Sequence, residues 1–437
     1  MARRLNASDP GFAAAFDALL NAKREQEEDV AQAVRGIIAD VRARGDAALV
    51  ELTNRFDRAG VTVETLKLSA AEIDAAVGQV SKEQAAAIES AASRIEAYHR
   101  RQLPEDARFV DEAGALLGWR WTSVDSAGLY VPGGTAAYPS SVLMNAIPAR
   151  VAGVGRIAMV TPASGGKLNP LVLAAARRAG VSDIYRVGGA QAVAALAYGT
   201  QSIRAVDKIV GPGNAYVAAA KREVFGQVGI DSVAGPSEIL VIADAGNDPE
   251  WIAADLLSQA EHDASSQSIL ITDDAAFADS VDAAATRQIA TLPRRAIAEK
   301  SWGDYGAIIT VAKLQDAASL ADAFAPEHLE IATADPENYA KLVRHAGAIF
   351  LGRYTPEAIG DYIAGPNHVL PTSRTARFSS GLSVLDFMKR TTLLGLDAQS
   401  IAAMGPDALI LAEAEGLDAH ARSIAARLNA PRPGRTD

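Results

Sequence analysis

Residues 259–263 read Gln-Ala-Glu-His-Asp, so an amide, an imidazole and two carboxylates lie within five positions. An apolar pattern rich in alanine and leucine precedes them and predicts a helix over 249–262. Gln259 and His262 are three residues apart, and on a helix they share one face. The chain has 6 histidines and no cysteine, so a transition metal would need nitrogen and oxygen ligands. We interpret Gln259 and His262 as half of a candidate metal site, with the two neighbouring carboxylates as further candidates.

A second candidate for chemistry is the pair Glu327 and His328, which follows Pro326 and precedes a strand-like run at 329–332. A carboxylate beside an imidazole provides two proton-transfer groups with different reference pKa values, which suits acid–base catalysis near neutral pH. An exposed charged turn would have the same composition. The pair alone does not distinguish the two interpretations.

Two further pairs could contribute to a site. Asp361 and His368 lie in residues 353–383, where frequent Gly, Pro, Ser and Thr predict a long loop. Asp361 could complete a metal site and His368 could support it, although either could be a turn residue. Glu415 and His420 are five residues apart in a predicted C-terminal helix, where a solvated helix face would also explain them.

Three glycine-rich turns lie within a short stretch of the chain, at 131–135 (Val-Pro-Gly-Gly-Thr), 187–191 (Val-Gly-Gly-Ala-Gln) and 211–216 (Gly-Pro-Gly-Asn-Ala-Tyr). Backbone N–H groups at the start of a helix bind phosphate well, but tight turns need glycine in any case. A nucleotide site and plain turns therefore both remain open. Residues 153–158 match G-x-G-x-x-A by letters, but they precede a predicted strand, so we reject them as a dinucleotide fingerprint.

The elements that must position these residues fall into two regions. Residues 1 to about 105 have helical periodicity, and within them His99 is expected to be solvated in its charged surroundings. From about residue 125, strands alternate with helices, which predicts parallel α/β sheets in two domains. The predicted strands are 156–162, 183–187, 239–243, 268–272, 307–311 and 348–351.

The composition restricts the class of protein. The chain has 437 residues, of which 49% are hydrophobic and 22% are charged, as is typical of a soluble protein with a large core. The net charge of -11 argues against nucleic acid as a partner. We see no secretory signal and no run close to the roughly 20 apolar residues that span a bilayer. We expect a cytoplasmic enzyme or binding protein with no membrane or nucleic-acid partner.

Taken together, the motifs resemble the histidinol dehydrogenase family over almost the whole chain. The departure is small, with Ser373 and Arg374 where many relatives have glycine. The segments that carry the resemblance are 128–134, 188–192, 211–216, 234–238, 259–263, 326–330, 367–372 and 376–384.

The resemblance implies an NAD-dependent zinc enzyme of histidine biosynthesis. It would oxidise L-histidinol to L-histidine through L-histidinal, a four-electron reaction that uses two NAD⁺, with one Zn²⁺ in each active site. The implied zinc ligands are Gln259, His262, Asp361 and His420. The implied acid–base residues are Glu327 and His328, and the implied NAD contacts are Tyr130, Gln191 and Asn214. The implied substrate contacts are Ser237, Gln259, His262, His328, Asp361, Glu415 and His420.

The resemblance also implies two incomplete Rossmann-like, aldehyde-dehydrogenase-like α/β domains with small helical N- and C-terminal parts, in an intertwined homodimer. The expected limits are an arm at 1–25, a zinc and catalytic domain at 26–129 and 239–383, an NAD-binding domain at 130–238, and a tail at 384–437. Because the tail closes the neighbour's site in this family, Glu415 and His420 would act in trans.

Two alternatives remain. An enzyme of the same fold could oxidise another small alcohol, such as a sulfonated polyol, and Glu415 with the segment 414–420 favours histidinol over it. A non-catalytic metal- or nucleotide-binding protein is the alternative of another class. The pair Glu327 and His328 argues against that one, because a binding protein does not need both groups.

Overall fold

The computed structural model describes residues 2–22, 28–133, 138–233 and 235–428. The strands are β1 (Arg3–Asn6), β2 (Ala107–Val110), β3 (Leu116–Ser123), β4 (Ser126–Tyr130), β5 (Arg156–Val160), β6 (Asp183–Tyr185), β7 (Lys208–Val210), β8 (Gly229–Ile230), β9 (Glu238–Ala243), β10 (Gln267–Thr272), β11 (Ala307–Thr310), β12 (His328–Ala332), β13 (Ala348–Leu351) and β14 (Met388–Gly395). The helices are α1 (Phe12–Leu20), α2 (Glu28–Arg44), α3 (Asp46–Asp57), α4 (Ala70–Val77), α5 (Lys82–Arg100), α6 (Pro139–Ala152), α7 (Pro170–Ala179), α8 (Gly189–Tyr198), α9 (Ala215–Val224), α10 (Pro249–Ala260), α11 (Ala275–Ile289), α12 (Arg295–Asp304), α13 (Ala317–Phe324), α14 (Pro336–Ala340), α15 (Glu357–Tyr362), α16 (Ala398–Ala414) and α17 (Asp418–Arg427). Short 3-10 turns lie at Ser164–Gly166, Leu314–Asp316, Thr375–Arg377 and Val384–Phe387.

The chain divides into two compact units. One consists of Met1–Gln102 and Val124–Phe387, and the other of Leu103–Ser123 and Met388–Asp437. The first unit contains two sheets in which every pairing is parallel. The predicted α/β class with parallel sheets is thereby confirmed, whereas the domain limits drawn from the sequence stay a prediction.

The first of these sheets has five strands in the order β6-β5-β4-β7-β8. In this sheet the first strand along the chain is β4, and β5 and β6 follow on one side of it. The next strand, β7, pairs with the other side of β4, so the strand order reverses between β4 and β7. Helices α2 and α3 pack against α8, and α2 also packs against α9. Together they bury a core of aliphatic side chains that includes Leu49, Val193 and Ile209.

The second parallel sheet has six strands in the order β1-β11-β10-β9-β12-β13. Every side chain of β9, β10 and β12 is buried, as expected for parallel strands that are covered on both faces. In the register of the sheet, His328 of β12 lies between Ile239 of β9 and Ala348 of β13. The first residue of β12 is therefore enclosed by strands on both sides.

Local sequence explains where several helices begin and end. Ser69 with Glu72, and Ser81 with Gln84, form capping boxes that satisfy free N–H groups at the starts of α4 and α5. Helix α10 begins with Pro249, a residue suited to the first helical position, after the capping side chain of Asp248. Among the described helices, none is both long and apolar enough to span a bilayer.

The structure corrects four expectations from the sequence. Arg3–Asn6 form a strand on β11 in a region expected to be helical, and Met388–Gly395 form a strand in the predicted helical tail. Both are held by main-chain pairing with distant segments, which local periodicity does not reveal.

His99, expected to be solvated, is fully buried, with Nδ1 2.7 Å from the Ile95 carbonyl oxygen. The predicted loop at 353–383 contains a short helix, α15.

The second unit is built on an antiparallel sheet in the order β14-β3-β2, and its helices α16 and α17 pack against each other. Several large apolar side chains of this unit remain accessible. Ile410 and Leu411 on α16 are 62% and 64% exposed, and Leu394 on β14 is 67% exposed.

Candidate active site

Strand β12 positions the predicted acid–base pair. His328 is its first residue and Glu327 directly precedes it, and both side chains are buried, with 3% and 8% of their surface exposed. Two ionisable groups at the enclosed start of a strand are not an exposed charged turn. The structure therefore removes the alternative that the sequence left open for this pair.

The main chain of Glu238 orients the His328 ring. Nδ1 of His328 lies 2.9 Å from the Glu238 carbonyl oxygen, which can only accept a hydrogen bond, so Nδ1 carries the proton of the neutral ring. The lone pair is then on Nε2, which lies 3.6 Å from Oε1 of Glu357 and 3.9 Å from Oδ1 of Asp361. This arrangement leaves Nε2 available as a proton acceptor.

The same residue holds Glu327. The Glu238 N–H donates to Oε2 of Glu327 at 2.9 Å. Burial raises the pKa of Glu327 well above its usual range, and the negative charges of Glu238, Asp361 and Glu357 raise it further. A carboxyl group in these surroundings is a stronger base once it is ionised, which suits proton transfer at neutral pH.

Helix α15 supplies two carboxylates from one face, because Glu357 and Asp361 are four residues apart. Burial raises the pKa of Asp361 to about 9, and the charge of Glu357 adds to the effect. One ligand atom each from His328, Glu357 and Asp361 all lie within 4.8 Å of one another. These three residues, hereafter the acidic cluster, form a group that could hold a metal ion.

Glu357 was not predicted from the sequence. Its N–H donates to Oε1 of Glu330 at 2.6 Å, and its Oε2 accepts from the Ser258 hydroxyl at 3.0 Å. Through these bonds it joins α15 to β12 and α10, and its side chain is 2% exposed. The signal that could have found it is its position four residues before Asp361, directly after Pro356.

The end of α10 carries the two residues that first indicated a metal site. Gln259 is fully buried, and neither polar atom of its amide has a hydrogen-bond partner among the described residues. His262 lies in the turn just beyond the helix, where its N–H donates to the Gln259 carbonyl at 3.0 Å. Its side chain is exposed. Desolvation by the surrounding protein nevertheless lowers the pKa of His262, with the charges of Glu357 and His328 acting on it as well. His262 is not one of the three residues whose ligand atoms lie within 4.8 Å of one another, so its place among the zinc ligands stays a prediction.

His368 supports the cluster from the segment after α15. Its Nδ1 lies 3.0 Å from the Asp361 carbonyl oxygen and 3.7 Å from Oδ1 of the same residue. Burial lowers the pKa of His368 to about 4, so this ring is neutral near pH 7. The structure thus brings His368 and Asp361 into contact, and the ring fixes the end of the helix that carries Asp361.

The site lies at the amino-terminal edge of the six-stranded sheet. Ser237 directly precedes β9, and its carbonyl accepts from the Gln267 N–H at 3.0 Å. Glu327 and His328 lie at the start of β12, beside it in the sheet. Open α/β sheets usually bind ligands outside the carboxyl ends of their strands, so strand position alone would have pointed to the wrong edge.

The residues predicted to contact a nucleotide lie in the other sheet, at the carboxyl ends of the strands of the five-stranded sheet. Tyr130 is the last residue of β4, and its hydroxyl accepts from the Gly189 N–H at 3.0 Å. Gln191 is buried in the first turn of α8. Asn214 caps α9 by accepting from the N–H groups of its first turn at 3.1 and 3.2 Å. β4 and β7 flank the point where the strand order reverses, where such sheets bind dinucleotides.

Two of the three glycine-rich turns meet at the carboxyl end of β5. A Cβ atom on Gly133 or on Gly188 would lie 2.6 Å from the side chain of Pro162. These glycines are therefore required by close packing of neighbouring turns. Gly134 and Thr135 of the first turn lie outside the described residues, as does Ala234 of the segment before β9.

Glu415 and His420 belong to the second unit. Glu415 follows the last residue of α16, His420 lies in α17, and both side chains are exposed. Their predicted role in the site stays a prediction.

The residues around the acidic cluster fit a zinc ion. Four of their buried polar atoms have no hydrogen-bond partner within the described part of the chain, namely both amide atoms of Gln259, Nε2 of His328 and Oε1 of Glu357. The negative charges of Glu238, Asp361 and Glu357 act on the pKa of the neighbouring Glu327. Buried polar atoms are normally paired, and imidazole nitrogen with carboxylate and amide oxygen is a donor set that zinc accepts.

Comparison with known proteins identifies the family to which the sequence and the structure are similar. The histidinol dehydrogenase family model matches residues 20–428. The chain is 66% identical to a histidinol dehydrogenase of Rhodospirillum rubrum over 98% of this chain and 99% of that protein. It is 63% identical to one of Rhizobium meliloti, again over 98% and 99%. The crystal structure of histidinol dehydrogenase from Elizabethkingia anophelis is similar, with a TM-score of 0.93, 37% identity and 98% coverage of both chains.

Proposed function

The chain belongs to the histidinol dehydrogenase family, a family of oxidoreductases, and from that premise we propose that it oxidises L-histidinol to L-histidine in two NAD⁺-linked steps through L-histidinal. The observation that carries the proposal is the acidic cluster of His328, Glu357 and Asp361, which lies beside the buried Glu327. Asp361 of this cluster is a proposed metal ligand, and His328 and Glu327 are the two proton-transfer groups that the reaction requires.

The proposed zinc ligands are Gln259, His262 and Asp361 from one subunit and His420 from a second subunit. Zinc, when bound, would act as a template for the imidazole and amine nitrogens of the substrate. The unpartnered amide of Gln259 supports its assignment. Ser237, Glu415 and His328 would contact the substrate as well.

In the first oxidation, Nε2 of His328 accepts the proton of the alcohol oxygen as hydride leaves the carbinol carbon. The hydrogen bond between Nδ1 and the Glu238 carbonyl supports this choice, because it holds the ring in the tautomer that has its lone pair on Nε2. NAD⁺, when bound, supplies the hydride acceptor for both oxidations.

In the second oxidation, the carboxylate of Glu327 removes a proton from the water that adds to the aldehyde. The raised pKa of Glu327 makes the ionised group an effective base. The ring of His328 lies with Nδ1 3.7 Å from Oε2 of Glu327, so protons need to move only a short distance between the two residues. Retaining the aldehyde in the site between the steps avoids its loss to side reactions.

NAD⁺ would bind at the carboxyl edge of the five-stranded sheet, with Tyr130, Gln191 and Asn214 as its contacts. The chain runs from the end of β8 to the start of β9 through residues 231–237. Even fully extended, this connection spans no more than roughly 30 Å. It joins the carboxyl edge of one sheet to the amino edge of the other, which limits the distance between the proposed nucleotide site and His328.

The proposed assembly is a homodimer in which the second unit of each chain completes the neighbour's site. The exposure of His420 and Glu415 supports this arrangement, as do the accessible apolar side chains of Ile410 and Leu411 on the same unit. Exposed apolar patches of this kind mark interaction surfaces.

The test is a spectrophotometric assay of the purified enzyme with L-histidinol and NAD⁺. We expect about two NADH per histidinol consumed, as a four-electron oxidation requires, and loss of activity after chelation that returns when zinc is added. One NADH per substrate, or oxidation of a sulfonated polyol in preference to histidinol, would identify another dehydrogenase. No NAD⁺ reduction would favour a non-catalytic binding protein.

A further inference from the structure

A buried ion pair lies at the carboxyl edge of the five-stranded sheet. Lys221 of α9 is paired with Asp231, which follows β8, and their side chains are only 2% and 4% exposed. A buried ion pair of this kind is weak evidence for stability, because apolar residues of similar volume often replace one without loss. The atoms that the pair contacts therefore indicate its role better than its effect on stability does.

Both members of the pair bind the same residue. Nζ of Lys221 donates to the Gly211 carbonyl oxygen at 3.0 Å, and the Gly211 N–H donates to Oδ2 of Asp231 at 2.8 Å. The two polar groups of one peptide residue are thus held by opposite charges. Such charge-assisted bonds are stronger than those between neutral groups.

Gly211 is also confined by its neighbour in the sheet. Its φ is 112°, a conformation that favours glycine, and a Cβ atom there would lie 2.1 Å from the carbonyl oxygen of Tyr130. The ion pair holds the residue against the end of β4 in this position. Only Pro212 and Gly213 separate it from Asn214, the cap of α9.

We infer that Lys221 and Asp231 are positioning residues for the cofactor, and that they fix residues 211–214 so that Asn214 and the start of α9 meet NAD⁺ in a preformed arrangement. The inference rests on the proposed function, which supplies NAD⁺ as the ligand. Neither residue needs to contact NAD⁺, because each acts through the main chain of Gly211. A preformed segment binds more tightly, since less order must be imposed on binding.

The test compares Lys221→Met with a double variant, Lys221→Met with Asp231→Asn, which leaves no unpaired buried carboxylate. The matched control is Glu223→Gln, which breaks the exposed pair of Arg35 and Glu223 on the same helix. The measurements are the KM values for NAD⁺ and histidinol, NADH binding by fluorescence titration, zinc content and Tm.

For Lys221→Met, we expect the KM for NAD⁺ and the Kd for NADH to rise roughly tenfold or more, since a hydrogen bond to a charged group is lost. The KM for histidinol and the zinc content should stay close to wild type. In the double variant, Tm should return toward the wild-type value while the weak NADH binding persists, because the Gly211 carbonyl still lacks its donor. Glu223→Gln should bind NADH like the wild type.

A double variant with wild-type Tm and wild-type Kd for NADH would overturn the inference and leave the pair with a structural role alone. If the single variant Lys221→Met does not fold, the double variant alone tests the inference, because it contains the same substitution of Lys221. A wild-type enzyme that neither bound NADH nor reduced NAD⁺ would instead overturn the proposed function.

Discussion

Nε2 of His328 lies 3.6 Å from Oε1 of Glu357, and neither atom has a hydrogen-bond partner within the described residues. Both side chains are nearly inaccessible, so water does not replace the missing partners at the surface. Leaving buried polar atoms unpaired costs folding free energy. We propose that a bound ligand supplies the missing partners, so replacing such a buried polar group should stabilise the fold and weaken binding.

The first prediction concerns Gln259, where one substitution should weaken zinc binding and stabilise the metal-free protein. Gln259→Met retains the length of the side chain but removes an amide whose two polar atoms are unpartnered. We expect zinc content to fall to background, while the metal-free protein becomes more stable by about 1–3 kcal/mol, the cost of an unsatisfied buried group. Metal analysis and chemical denaturation in the presence of chelator measure the two effects.

The matched control for Gln259→Met is Gln267→Met. Gln267 is also buried, but its Nε2 lies 3.5 Å from the Tyr305 carbonyl oxygen as a hydrogen-bond donor. The control should retain zinc and should not gain stability. A zinc content that stays at wild-type level in Gln259→Met would contradict the ligand assignment.

A second prediction concerns Glu357, the residue that the sequence did not reveal. Glu357→Gln retains an oxygen that can accept from Ser258 but removes the negative charge beside Asp361. We expect zinc affinity to fall about 10- to 100-fold, the range typical of residues that support metal ligands. Competition with a chelator of known affinity measures the change.

For comparison, Glu261→Gln removes a charge beside His262 from a residue outside the acidic cluster. It should change zinc affinity by less than about threefold, as expected for an accessible charge in high dielectric. Equal losses in the two variants would mean that Glu357 acts only through general negative charge.

The third prediction separates the two oxidations. Glu327→Gln retains an acceptor for the Glu238 N–H but removes the base. The second oxidation should slow about 10²- to 10⁴-fold, as is typical for loss of general base catalysis, while the first should change far less. Single-turnover kinetics with L-histidinol and with L-histidinal distinguish the steps. If both half-reactions slowed equally, the assignment of water activation to Glu327 would be wrong.

A fourth prediction tests whether active sites are shared between subunits. His420→Ala and Glu327→Gln should each nearly abolish the formation of L-histidine by the homodimer, which is the activity measured here. In a heterodimer of the two variants, one site carries both changes and the other carries neither, so activity should recover to roughly half that of a wild-type dimer. Verified heterodimers that remain inactive would show that His420 acts within its own chain.

Much of the architecture could be predicted because buried parallel strands and amphipathic helices have distinct periodicities. The strand Ala348–Leu351 was predicted to the residue. Strands that are short or that pair at an edge were missed, such as Arg3–Asn6, because their partner and not their own pattern makes them strands. The helix that carries Asp361 was missed for a similar reason, since glycine- and proline-rich surroundings concealed it.

The sequence by itself determined the kinds of chemical group that are present and the absence of thiolates, and through its motifs the family. The four-residue spacing of Glu357 and Asp361 is present in the sequence, but only the structure showed the helix that places both on one face. Only the tertiary structure decided that Glu238 holds both Glu327 and His328 through its main chain, since main-chain partners leave no mark on residue type. It likewise decided that Gln259 is buried without a hydrogen-bond partner among the described residues and that Lys221 with Asp231 holds Gly211. Burial and charge pairing depend on segments that are distant in sequence. The contacts between these segments give the polar residues the burial and the hydrogen bonds that define the candidate site.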